Sequence, residues 1–245
     1  MIPTLGTSED LGHCLSTINA CHAHAIILVT PQKNVGCLQK LCKDLEIDNA
    51  GVLGAPKANK RMQMIQGLRE VKTDVVIFAD DDVFWPNDFL CHILAPLDDP
   101  AVGAVGPFNA LERRENNNGW DFLNAVYLKR WEWEVGATSN VDGGVACLSG
   151  RTMAIRTHIV QDPAFVNAFF GERWFRAVSL LAADDDSFIT RWLVNRRWKI
   201  KIQCGTSVKT SLDANWKFLQ QCLRWSRTTW RSNSTSLFVD GVVWA

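Results

Sequence analysis

The sequence predicts an α/β fold, a mainly parallel sheet flanked by helices. Three observations carry that reading. Through the first hundred residues, short apolar, β-branched runs alternate with amphipathic stretches of helical period. Pro31, Pro56, Pro86 and Pro96 punctuate the alternation. The run Val75-Val76-Ile77-Phe78-Ala79 has the length of a central strand and leads into Asp80-Asp81-Asp82. In an open α/β sheet, ligands bind just beyond the carboxyl ends of the strands, where these carboxylates fall.

Each element follows from local pattern. Residues 1–4 form the end of a first strand. Residues 10–20 have helical spacing, with Leu11, Leu15 and Ile18 on one face and Ser8 as N-cap. Residues 25–30 are a buried strand stopped by Pro31. Residues 34–45 are helical, with apolar side chains at 35, 38, 41, 42 and 45. Val52-Leu53 is a short strand broken by Gly54-Ala55-Pro56. Residues 60–71 form an amphipathic helix carrying Met64, Ile65 and Leu68, and the acidic strand follows. After Pro86, residues 88–95 form a helix closed by Pro96, and 101–105 another strand. Residues 112–119 are polar and Asn-rich, hence a loop. Residues 120–135 are helical, anchored by Trp120, Trp131 and Trp133. Gly143-Gly144 introduces a strand-like Val145-Ala146-Cys147-Leu148, turned by Ser149-Gly150. Residues 162–175 are rich in aromatics. Asp184-Asp185-Asp186 precedes a helix over 187–196, followed by a strand over 198–202 and a long helix over 215–230. The apolar pieces Leu237-Phe238-Val239 and Val242-Val243-Trp244 read as a terminal strand or the stub of something longer.

Composition narrows the function. Lys+Arg and Asp+Glu are both 26, a balance that gives no support to nucleic-acid binding driven by phosphate attraction. The eight cysteines form no C-x-x-C pair, which argues against a zinc ribbon and for reduced, mostly buried thiols. No apolar run approaches the roughly 20 residues that span a bilayer. Eleven Trp stand against one Tyr; indoles suit sugar stacking, membrane interfaces and plain core alike.

Three stretches carry chemistry. Three consecutive aspartates repel unless a cation or donors sit among them. In an extended tip Asp80 and Asp82 point one way and Asp81 the other, a pair suited to Mg²⁺ or Mn²⁺. The second triplet sits at a helix N-terminus, which stabilises and positions a carboxylate able to take a proton from a hydroxyl. On the last helix, Gln221, Arg224 and Trp225 share a face that offers an amide, a guanidinium for phosphate and an indole for a sugar ring.

In this order, Asp-x-Asp, an acidic doublet and Gln-x-x-Arg-Trp resemble processive family 2 glycosyltransferases, most densely the hyaluronan-synthase-like fungal polysaccharide (capsule) synthases. Asp80 to Leu90 is similar to their metal strand. Cys147-Leu148-Ser149-Gly150-Arg151 resembles their acceptor-side segment, Asp185-Asp186-Ser187-Phe188-Ile189-Thr190-Arg191 their Asp-Asp-x-x-Leu-Thr-Arg block, Arg197-Trp198 their Gly-Trp-type strand, and Lys60-Arg61 their nucleotide-contacting pair. The resemblance implies a single GT-A-type, Rossmann-like domain over 1–245. A nucleotide-sugar half spans 1–106, an acceptor and catalytic half 107–232, and a tail 233–245. It implies that Asp80, Lys60, Thr4 and Arg224 hold a UDP-sugar, that Asp82 with Asp80 holds the metal, and that Asp186, with Asp185 beside it, is the general base. Gln221, Trp225, Cys147, Ser149 and Gly150 are then the acceptor side, and the reaction is inverting, onto a growing polysaccharide. The family's uracil-contacting Asp is replaced by Thr30-Pro31-Gln32, which shifts that contact to Thr4 or Lys33. The family's flanking membrane helices are absent, so the chain is expected to be a fragment, a shortened product or a soluble derivative, cytoplasmic by itself. Competing readings are a remnant that binds UDP or a partner synthase without turnover, and a nucleotidyltransferase of related fold.

Overall fold

The described residues of the computed structural model are 1–6, 8–112, 118–141, 144–145, 147–172 and 184–237. On the amino-terminal side, strands too apolar to face water are linked by helices that must cross back over the sheet, which makes the strands parallel. Strands β1 (Ile2–Pro3), β2 (Ile26–Pro31) and β3 (Ala50–Ala55) pair in that order, all parallel. Helix α1 (Leu11–Ala20) carries the chain from β1 to β2 and buries Leu11, Cys14, Leu15 and Ile18. Asp10, rather than Ser8, holds its cap position; the Ser8 hydroxyl accepts the Asp10 N–H at 3.3 Å. Helix α2 (Val35–Asp44), entered through a 3-10 turn over Gln32–Asn34, carries β2 to β3 and buries Leu38 and Cys42. Strand β3 continues through Gly54 and Ala55 instead of breaking at Leu53, because the hydrogen-only Gly54 lets the Gln32 side chain lie against the strand; a Cβ there would meet Oε1 at 1.9 Å.

Helix α3 (Lys60–Leu68) is capped by Asn59, whose Oδ1 accepts the Met62 N–H at 3.1 Å, and it ends three residues short of the expected Val71. It leads to β4 (Val75–Ala79). A five-stranded sheet then forms from β4, β5 (Val83–Phe84), β6 (Val102–Leu111), β7 (Thr152–Arg156) and β8 (Lys199–Thr210), in the order β4-β7-β6-β8-β5. Strands β6 and β8 are parallel; β4 with β7, β7 with β6 and β8 with β5 are antiparallel. Strand β4 is therefore at the edge of this sheet, not at its middle. Met1 covers that edge: its amine donates to the Ile77 carbonyl at 2.6 Å, and the Ala79 N–H donates to the Met1 carbonyl at 3.0 Å. The two sheets thus meet along β1 and β4. The parallel sheet with flanking helices is the architecture the sequence predicts; the antiparallel pairings enter with β5 on β8 and with β7, a strand the periodicity did not single out.

Helix α4 (Phe89–Leu94) runs into a 3-10 turn over Ala95–Asp98, so Pro96 sits in the first turn of that element rather than ending α4. Helix α5 (Gly119–Val141) is longer than expected. It is fixed by Leu128, Val135 and the fully buried Asn124; Trp120 and Trp131 are half-buried and Trp133 is 78% exposed, so Trp133 is no anchor. The segment 145–148 does not form a strand at its described residues, although Leu148 is buried; Gly143 and Ala146 lie outside the described residues. So do most of the expected loop at 112–119, the end of the aromatic stretch at 173–175 and residues 238–245 of the apolar tail. Helices α6 (Thr157–Gln161), α7 (Pro163–Gly171), α8 (Asp185–Asn195) and α9 (Lys217–Thr235) complete the described chain. One core fills the space between the parallel sheet, α1, α2 and α4; another packs α3, α6, α7 and α8 on β4, β6 and β7. Among the described residues, no helix is long and apolar enough to cross a membrane.

Candidate active site

The ends of β1 and β4, the start of α3, the turn before β7, the N-terminus of α8 and one face of α9 enclose a cleft of about 570 Å³. It is lined by Asp80, Asp81 and Asp82, by Asp184, Asp185 and Asp186, and by Gln221, Arg224 and Trp225. Three stretches distant in sequence thus share one cavity. The expected alternation at the first triplet does not hold: Asp81 and Asp82 form a turn, not an extended tip, and all three residues line the cleft.

Lys60, at the first position of α3, joins the two triplets. Its Nζ lies 2.8 Å from Asp80 Oδ1 and 3.0 Å from Asp185 Oδ2. Burial works against its charge, but the Asp185 and Asp80 carboxylates outweigh that and raise its pKa. Of the Lys60-Arg61 pair only Lys60 reaches the cleft. Arg61 is 1% exposed and turns inward, where it donates to the carbonyls of Phe169 (2.8 Å) and Asp184 (2.8 Å) and to Glu172 Oε2 (2.6 Å). A nucleotide contact for Arg61 is therefore replaced by a supporting role under the second triplet.

In the first triplet, Asp81 accepts a hydrogen bond from the Thr4 hydroxyl, and burial raises its pKa. Asp82 is pushed up to about 7, first by burial and then by the charge of Asp80, with the Arg151 guanidinium opposing. Its Oδ1 is buried without a hydrogen-bond partner. Among the described residues, no three His, Cys, Asp or Glu side chains converge as a preformed metal cage. Thr4 lines the cleft; Lys33 is exposed on the 3-10 turn and does not.

In the second triplet, Asp186 is pushed up to about 7 by burial and then by the Asp185 charge, against the pull of Lys60. Its Oδ1 accepts the Ser187 N–H at 2.8 Å. Gly150 presses on its other side: a Cβ there would stand 3.0 Å from Asp186 Oδ2. Asp184 has a left-handed backbone, φ 70 and ψ 38, which costs a non-glycine residue about 1–3 kcal/mol. It is held there by Arg61 at its carbonyl and by Arg231, whose Nη2 lies 3.0 Å from Asp184 Oδ2.

On α9, the Trp225 indole stacks on Tyr127 of α5 (5.0 Å between centroids, 20°) and lies 5.3 Å from the Arg151 guanidinium carbon. Tyr127 and Arg151 had no role in the sequence reading. A lone Tyr in a helix names no partner, and Arg151 stands inside the segment ending Ser149-Gly150-Arg151 without a signal of its own. Of the expected acceptor residues before β7, only Gly150 lines the cleft. Cys147 is set behind it with Sγ 3.5 Å from the Ser187 hydroxyl, and burial raises its thiol well above the ordinary value. Ser149 is buried, its hydroxyl donating to Asn109 Oδ1 at 3.4 Å. Neither Cys147 nor Ser149 lines the cleft.

The chain is 45% identical over 247 residues to a type 2 glycosyltransferase of Zymoseptoria tritici, covering 100% of this chain and 52% of that protein. It is 41% identical over 251 residues to one of Gibberella zeae, covering 100% of this chain and 47% of that protein. It is 30% identical over 244 residues to the NDP-glycosyltransferase ltbB of Aspergillus luteorubrus, covering 95% of this chain and 59% of that protein. The chain thus spans about half the length of the curated relatives it matches. By fold it is similar to S. aureus TarS, with a TM-score of 0.56 at 14% identity over 97% of this chain and 74% of that one. It is also similar in fold to the 4-diphosphocytidyl-2C-methyl-D-erythritol synthase of Anaerococcus prevotii, with a TM-score of 0.51 at 12% identity over 92% of this chain and 96% of that one. The sequence model described as "Glycosyltransferase like family 2" matches residues 1–228, and the chain belongs to that family.

Proposed function

We propose that the cleft transfers a sugar, with inversion, from a UDP-sugar to a hydroxyl of a growing glycan, with Asp186 as general base. The observation that carries the reading is that Asp82, Asp186 and Trp225 line one cavity. Inversion needs a base on the side of C1 opposite the leaving diphosphate, and the two acidic triplets reach the cleft from different elements, with Lys60 between Asp80 and Asp185. Asp186 takes the acceptor hydroxyl's proton, the oxygen attacks C1, and the C1–O bond to the diphosphate breaks. A group near 7 is suited to accept a proton at neutral pH and release it afterwards. Lys60 and Arg224 receive the diphosphate's charge, and Thr4 with Asp80 holds the nucleotide sugar. Trp225, braced by Tyr127, with Gln221 beside it, supports the acceptor ring.

Asp82 and Asp80 would hold Mg²⁺ or Mn²⁺. The fit rests on the unpartnered, buried Asp82 Oδ1, and on the habit of these ions of taking one or two carboxylates and completing their shell with substrate phosphates. The bound ion would neutralise charge on the departing diphosphate. The Aspergillus relative is itself named an NDP-glycosyltransferase, which states a nucleotide-linked donor for that protein. The likeness of the motifs to polysaccharide synthases extends the proposal to a polysaccharide acceptor.

The test is UDP release across UDP-glucose, UDP-N-acetylglucosamine, UDP-glucuronate and UDP-galactose, with Mg²⁺ or Mn²⁺. Asp186→Asn is expected to lose turnover while keeping UDP binding, and Asp82→Asn to lose the metal's effect. Undiminished turnover in either variant removes that residue from its role.

A further inference from the structure

The groups that hold Asp184 are not used by the chemistry above, yet they tie that chemistry together. Asp184 occupies the N-cap position of α8, where an aspartate ordinarily accepts from the helix's own first N–H groups. It makes no such side-chain bond. Its buried carboxylate is turned instead toward α9, where Oδ2 accepts a hydrogen bond from Arg231 Nε at 3.3 Å and pairs with the guanidinium charge 3.0 Å away at Nη2. The Asp184 side chain is 2% exposed and Arg231 20%, so the carboxylate sits out of water, where loss of Arg231 strands its charge. Arg231 lies seven residues beyond Arg224, hence on the same face of α9 two turns later. A second strut runs in parallel: Arg191 of α8 reaches both Glu172 and the Ser232 hydroxyl of α9, the latter at 2.8 Å, and Glu172 also holds Arg61.

We infer that Arg231 and Asp184 are a pair of positioning residues, a clasp that fixes the α9 face bearing Gln221, Arg224 and Trp225 relative to Asp186. The inference rests on the sugar-transfer reading. The left-handed turn at Asp184 is what lets one residue serve both ends: its carbonyl faces Arg61 beneath the triplet, while its side chain faces α9. Asp186 follows two residues later, at the start of the helix this turn aims. The clasp sets the distance between the base and the platform for the acceptor. It leaves the donor contacts at Lys60, Asp80 and Asp82 alone and bears on the donor only through Arg224, which rides on the same α9 face.

Steady-state UDP release by the full chain, with donor and acceptor varied separately, reads this directly. Arg231→Gln and Asp184→Asn are each expected to lower kcat at least tenfold, with donor KM rising through the displaced Arg224 by less than the fall in kcat. The double variant should be no more than twofold below the worse single, because both remove one interaction. Arg231→Lys should restore at least a third of kcat. Multiplicative losses in the double variant, or unchanged kcat in the singles, overturn the clasp. So does a loss in which donor KM rises in step with the fall in kcat, the mark of a merely structural role. Hydrogen exchange supplies an arm independent of turnover. Arg231→Gln should speed exchange across α9 and leave β4 protected; equal protection of α9 in both proteins also overturns the clasp. If the parent releases no UDP with any donor while α9 loosens as expected, the sugar-transfer reading fails and the clasp stands.

Discussion

Replacing Gly150 by alanine tests the placement of Asp186 with one methyl group. No positive φ is recorded at Gly150, so an alanine backbone fits there, and the effect is one of space alone. The new Cβ would stand 3.0 Å from Asp186 Oδ2 and 3.4 Å from its Cβ and Cγ, where ordinary contact with an oxygen starts at 3.4 Å. The carboxylate must yield by about 0.4 Å. A misplacement of about 1 Å at a reacting group costs about a hundredfold, so a proportionate loss is roughly sixfold in kcat. The assay is initial-rate UDP release above pH 8, where Asp186 is ionised and added burial of its carboxyl does not enter. Donor KM should be unchanged, because the donor contacts lie at Lys60 and Asp80, outside the new methyl's reach. Gly36→Ala is the control: it sits in α2 with nothing within 4 Å of the added carbon, and it should leave the rate alone while stabilising by about 1 kcal/mol. A Gly150→Ala enzyme as fast as the control variant would show that Asp186 tolerates displacement and is not the base.

The pH dependence has a definite sign. Asp186 must be ionised to accept a proton, so kcat should fall tenfold per pH unit below about 7, and a flat profile from pH 5 to 8 would contradict the assignment. The same shift acts on stability. The folded carboxyl is raised from 3.8 to about 7, so its favourable contribution is whole below about pH 4 and is lost as pH climbs through 7. The loss is about 4 kcal/mol at 1.36 kcal/mol per pH unit. Asp186→Asn should therefore melt higher than the parent at pH 8 and no higher at pH 4. Lys60→Met removes the cation shared by Asp80 and Asp185. It should weaken UDP binding at least tenfold, about 1.4 kcal/mol, by titration calorimetry, and binding within twofold of the parent would show that Lys60 serves the triplets and not the nucleotide.

Much of this protein is legible along the chain because its signals are local. The apolar run 75–79 is a strand on sight, and the 3.6-residue spacing of Met64, Ile65 and Leu68 needs no partner to be read. The same holds for the acidic triplets and for Gln221, Arg224 and Trp225, whose residue types announce their chemistry and whose common helix face follows from spacing. What periodicity could not supply was pairing. Strand β7 carries no periodic signal of its own, since its worth lies in joining β4 to β6, and β4 has the length of a central strand although its outer neighbour is Met1. The turn at Asp81 and Asp82 defeated the alternation rule, since that rule presumes extended backbone. Arg61 and Lys60 are adjacent in sequence and nearly alike in charge, yet a helix turns successive residues by about 100°. One therefore enters the cleft and the other the core. Tyr127 against Trp225, Arg151 over the same indole and Arg231 on Asp184 are contacts between residues with no signal that points from one to the other. The sequence by itself determined which groups are present and on which local element each stands. Only the tertiary structure decided which of them meet, because meeting depends on packing between elements far apart in the chain, and no short-range pattern encodes it.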